Sequence, residues 1–145
     1  MLYTSLFVES TMLDDIHKAY EYIAKLCEHK EKILAHPPNH ENISFIKFTL
    51  EGAYIRKARH IYASYENIDE KLTHEMETAL RSAYKLNDAT HSEIQAWRDF
   101  LFAWLMINTD RKKEASPSLT HLKTYLQKNT NSQLNPLYQS LIKEN

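Results

Sequence analysis

The sequence contains one glycine, one cysteine and four prolines in 145 residues. Tight hairpins draw on Gly, Asn-Gly and Pro at fixed positions, so this shortage excludes a β-rich or loop-rich fold. It also excludes a Gly-x-Ser-x-Gly nucleophile elbow and a glycine-rich phosphate loop. Cys27 stands alone and cannot close an internal disulfide. It falls at a periodic apolar position beside Glu28, whose charge disfavours a thiolate. It therefore reads as a buried thiol in a reducing compartment.

Long apolar runs are missing too. The longest, Phe100 to Ile107, is far short of the roughly 20 residues that cross a bilayer. Met1 to Glu9 has no basic segment ahead of an apolar one, so no cleavable secretory signal is expected. The expectation is a cytoplasmic protein, or one exported without such a signal. Nor is there an excess of charge of one sign. Eighteen basic residues face 19 acidic ones, for a net charge of −1. That argues against broad attraction to nucleic acid or an anionic membrane. Residues 101–145 carry six basic against three acidic groups, a local +3 that solvated helices also show.

What is present is the balance of a globular protein, with 43% hydrophobic and 26% charged residues. One helical domain spanning 1–145 is expected, long enough to bury about two-thirds of its unfolded surface. The apolar positions recur with helical period. A helix from Thr11 to Ala35 carries Leu13, Ile16, Tyr20, Ile23 and Leu26 on one stripe, and Pro37-Pro38 stops it. A second, Glu41 to Tyr65, carries Ile46, Leu50, Tyr54, Ala58 and Ile61, with Gly52 inside it. A third runs from Ile68 to Leu86, capped by Asn67 or Asp69 and ended by Asn87-Asp88. A fourth, Ser92 to Asn108, opens with Thr90 and Glu93 at capping-box spacing. It is apolar all round from Phe100 onward, which places it at the centre, surrounded by protein. Ser116-Pro117 signals a fifth helix to Lys128, by N-cap and N1 proline. Asn135-Pro136 repeats the signature, and Leu137, Leu141 and Ile142 place a short sixth helix at the end.

The fold class expected is all-α, an antiparallel bundle of five to six helices. A short helical-hairpin array is the alternative. Trp97, Leu101 and Trp104 followed by Ala115, Leu119 and Leu122 resemble the large-small alternation of tetratricopeptide-type hairpins. Ala79-Leu80-Arg81-Ser82-Ala83-Tyr84 is similar to the closing helix of such a unit. The resemblance covers about half the chain. It departs from the pattern at Phe100 and Leu101, where a small residue belongs, and it lacks the closing proline.

Several chemistries fail at a named spacing. Eight histidines raise the question of metal. Asp14/His17 and Glu70/His74 could each touch on a helix surface, but no Glu-x-x-His occurs and the inner stripes are aliphatic and aromatic. No metal and no cofactor are expected. Arg56-Lys57-Ala58-Arg59-His60 comes nearest to the Arg and His face of small all-α ribonucleases from toxin–antitoxin systems. Arg56 to His60 is i, i+4, shorter than the Arg-x-x-x-x-His spacing of that family. Arg56, Lys57, Arg59 and His60 remain the candidate nucleic-acid residues, with a merely solvated face as the competing reading.

The content that stands out is aromatic: nine Tyr, five Phe and two Trp. Tyrosine brings apolar area with a polar tip, which suits protein–protein surfaces. Tyr54, Tyr62 and Tyr65 along one helix, with Phe102 and Met106 from the central one, are the candidate partner-binding residues. Filling the core is the competing role for each. The function expected is a non-enzymatic interaction module, such as an adaptor, chaperone or regulatory subunit. Its partner is a protein, and a second copy of the chain is a further candidate.

Overall fold

The computed structural model describes residues 40–64 and 67–144, with side chains from Lys47 onward. The expected Thr11–Ala35 helix, Cys27, the Pro37-Pro38 break and Tyr65 lie outside the described residues. Five α-helices and one 3-10 turn account for most of what is described, and no strand occurs among those residues. They are α1 (His40–Ser64), α2 (Glu70–Leu86), α3 (Glu93–Asn108), the turn Lys112–Ala115, α4 (Ser116–Lys128) and α5 (Leu134–Glu144). None of these helices is long and apolar enough to cross a membrane. The chain divides into two compact units, Met1–Tyr54 and Ile55–Asn145, with the boundary inside α1.

Local chemistry sets the helix ends. Asp69 caps α2 by accepting the Leu72 amide at 2.8 Å. The amide of Asn87 closes the same helix on the Ala83 carbonyl at 3.1 Å. The cap of α3 is Ser92, which accepts from the Gln95 amide, while the Gln95 side chain accepts the His91 amide at 2.7 Å. This corrects the Thr90/Glu93 expectation, because both of those side chains are engaged elsewhere. At its far end α3 stops in a Schellman turn. Asp110 takes φ 59°, and the Arg111 amide reaches back to the Met106 carbonyl at 2.8 Å. Ser116 is already helical rather than a cap, because the 3-10 turn runs straight into α4.

In the Ile55–Asn145 unit α3 is the hub. The helices α2, α4 and α5 and the 3-10 turn all pack on it. Its own Ala96, Leu101, Ala103, Leu105 and Met106 are buried, as are Met76, Leu80 and Ala83 of α2, Leu122 and Leu126 of α4 and Leu134 of α5. Each fully buried side chain of Leu or Met size contributes roughly 1.5–3 kcal/mol of burial, which makes this layer the main support of the unit. On α5 the inward residues are Leu134, Tyr138 and Leu141. Ile142 is 43% exposed. Starting α5 at Leu134 sets the stripe on 134, 138 and 141 and turns 142 outward.

Candidate interaction surface

Two charged residues lie inside the most apolar helix. Arg98 and Asp99 have no exposed surface, and their side chains pair at 3.2 Å. A buried pair is tolerable only when its remaining donors and acceptors are met. Arg98 Nη1 donates to the Asn87 carbonyl at 2.8 Å, and Nη2 to the Ala89 carbonyl at 3.1 Å and to Thr90 Oγ1 at 3.0 Å. Asp99 accepts from the Tyr84 hydroxyl at 2.6 Å and from Thr90. Ser118 of α4 joins the Tyr84 hydroxyl at 2.8 Å. The guanidinium also lies over the Tyr84 ring, 4.3 Å from its centroid. Burial, and then the neighbouring Asp99 carboxylate, push the Tyr84 phenol far above its ordinary value. Every one of these groups is satisfied within the protein, so the cluster fixes the α2–α3 loop and is closed to a ligand.

The open features lie elsewhere, in the seam between the C-terminal half of α1 and α3. Successive side chains meet along it. The Arg59 guanidinium lies 4.2 Å over the Trp97 ring. Tyr62 packs edge-to-face on Phe100 and Trp104, with centroids at 5.7 and 5.0 Å. At each end of this seam is a cleft. One, about 480 Å³, is lined by Arg56, Arg59, Glu93, Ile94, Trp97 and Ser132 among others. The other, about 680 Å³, includes Tyr62, Ile68, Thr73, Trp104, Asn108 and Thr109. In the first cleft Glu93 is anchored by hydroxyl donors, Tyr125 at 2.6 Å and Ser132 at 2.5 Å. Burial, reinforced by this carboxylate, pushes the Tyr125 phenol up to about 12.

The sequence-chosen residues are distributed unevenly. Tyr62 stands in the seam and lines the second cleft. Tyr54 is half-buried on α1, in the other compact unit. Phe102 is 7% exposed and Met106 not at all, and neither lines either of these clefts. Phe102 is covered by Tyr84, edge-to-face at 5.4 Å, and by Arg81. Of the basic set, Arg56 and Arg59 share the first cleft, Lys57 is half-buried, and exposed His60 lies 3.3 Å from Ser64. Sequence reasoning missed Trp97, Trp104 and Glu93 as surface-lining residues. The signal was the spacing of Trp97 and Trp104, two turns apart on one face of the central helix.

A separate ion-pair chain ties α2 to the 3-10 region. Glu77 accepts from Arg111 at 2.7 Å and from Arg81 at 2.8 Å, and Arg81 also approaches Glu114 at 3.6 Å. Among the described residues no three His, Cys, Asp or Glu side chains come together as a metal would need. Compared with protein-family profiles, curated proteins and solved structures, the chain matches none.

Proposed function

We propose that this protein is a non-enzymatic interaction module, an adaptor, chaperone or regulatory subunit, that grips a protein partner along the α1–α3 seam. The observation that carries this reading is the second cleft. There the Tyr62–Trp104 edge-to-face pair borders a space of about 680 Å³ rimmed by Asn67, Asn108, Thr73 and Thr109. Aromatic area with hydrogen-bonding side chains at its edge is the composition of protein-recognition sites. A further support is that the acidic groups Asp99, Glu77 and Glu93 each serve internal partners. The fold that goes with this reading is an antiparallel arrangement of helices, as in a bundle. Contacts of Glu77 with Arg111, Tyr84 with Asp99 and Tyr125 with Glu93 support alternating directions for α2, α3 and α4.

The ribonuclease-type alternative draws less support. It needs Arg and His at one place, whereas Arg56 and Arg59 line the cleft and His60 lies beside Ser64. The test is a photo-crosslinking amino acid in place of exposed Ala63, used in cells that natively produce the protein. A discrete protein adduct is expected, lost when Tyr62→Ala and Trp104→Ala are added and circular dichroism shows the helices intact. A nucleic-acid adduct, or a protein adduct indifferent to both substitutions, would overturn the proposal.

A further inference from the structure

We infer that the Arg56/Arg59 cleft receives an acidic segment of the protein partner, with two carboxylates spaced about one helical turn apart. This rests on the interaction-module reading and adds the chemistry of what is bound. Arg56 and Arg59 are both exposed and sit three residues apart on α1, so their side chains emerge from one face as neighbours. Neither guanidinium pairs with a carboxylate among the described residues. Among the described residues the one acidic group of the cleft, Glu93, has its two oxygens occupied by the Tyr125 and Ser132 hydroxyls. Two fixed positive charges therefore face one committed negative charge, and the site has cationic capacity to spare.

Arginine's planar fork suits bidentate pairing with carboxylates. Arg59 is held in place by its stack on Trp97, so less freedom is lost when it pairs. Ile94 and Trp97 give the cleft an apolar floor between the charges. A nucleic acid would pair its phosphates here but would also need an open ring for its bases. Trp97 is only 8% exposed, with a guanidinium on its face. An acidic peptide bearing an apolar side chain makes use of all three features.

The test uses the full chain and fluorescence anisotropy with three labelled probes. They are a peptide repeating Glu-Leu-Ala-Ala, its Gln-for-Glu counterpart and an oligouridine of similar length. The acidic peptide is expected to bind at least tenfold more tightly than the Gln peptide, and to weaken as salt rises. Arg56→Ala with Arg59→Ala should remove that preference. In Trp104→Phe, where Trp97 is the sole tryptophan, the acidic peptide alone should shift the emission as a carboxylate pairs with the guanidinium stacked on the ring. Equal affinity for both peptides, an unaffected double variant, or preference for oligouridine each overturns the inference. If the crosslink from position 63 persists while the acidic peptide fails, this inference falls and the interaction-module reading stands. If both fail, both fall.

Discussion

Arg98 and Asp99 are neighbours in the chain and partners in space, their charged groups 3.2 Å apart with no solvent on either. Removing one partner leaves the other charge stranded in the core. Asp99→Ala or Arg98→Ala is therefore expected to cost about 3–5 kcal/mol in urea unfolding. Replacing both at once, Arg98→Met with Asp99→Leu, should cost much less than the two losses added, because no uncompensated charge remains. Single-variant losses below about 1 kcal/mol would show that the pair carries no such weight.

Acid should erode the stabilisation that Glu77 provides. Hydrogen bonds from Arg111, and more weakly from Arg81, hold its carboxyl at about 2, below the ordinary 4.5. A lowered folded value means that the unfolded chain binds the proton first, so the stabilisation is full above about pH 4.5 and fades as pH falls toward 2. Glu77→Gln should accordingly lower Tm at pH 6 and converge with the parent protein near pH 2. A Tm difference that stays constant over that range would count against the assignment.

Asp110 offers a gain rather than a loss. Its φ of 59° closes α3 in the left-handed region, where any side chain but glycine's is crowded. Asp110→Gly is expected to stabilise by about 0.5–1 kcal/mol, a rise in Tm of a few degrees, and Asp110→Val to destabilise by at least as much. Thermal unfolding of the three forms decides it, and a more stable Val variant would refute the strain.

Much of the helical order could be read from residue pattern. Asp69, Asn87 and the α1 span follow from capping and periodicity, and the all-apolar run after Phe100 marks the helix on which the others pack. The start of α3 was legible but its capping pair was not, because two overlapping signatures compete, Thr90-x-x-Glu93 and Ser92-x-x-Gln95. Tertiary partners decide between them. Thr90 is drawn to Arg98 and Asp99, and Glu93 to Tyr125 and Ser132, contacts 8 to 39 residues apart in sequence. Which aromatic side chains line the two clefts was not legible residue by residue. Period alone cannot tell which of Phe102, Trp104 and Met106 a helix will cover, since that depends on where α2 and Tyr84 come to rest.

The grip of Arg98 on the α2–α3 connection falls on main-chain oxygens, those of Asn87 and Ala89 foremost. Every amino acid supplies such an oxygen, so this grip asks for no particular side chain at 88 or 89, whereas Asn87 also accepts the Ala89 amide through its own side chain and Tyr84, Thr90, Arg98 and Asp99 are needed for what their side chains do. Tyr, Thr, Arg and Asp at offsets of six, eight and one are thus the spelling this cluster imposes on the chain, around a connection whose residues at 88 and 89 it leaves unspelled.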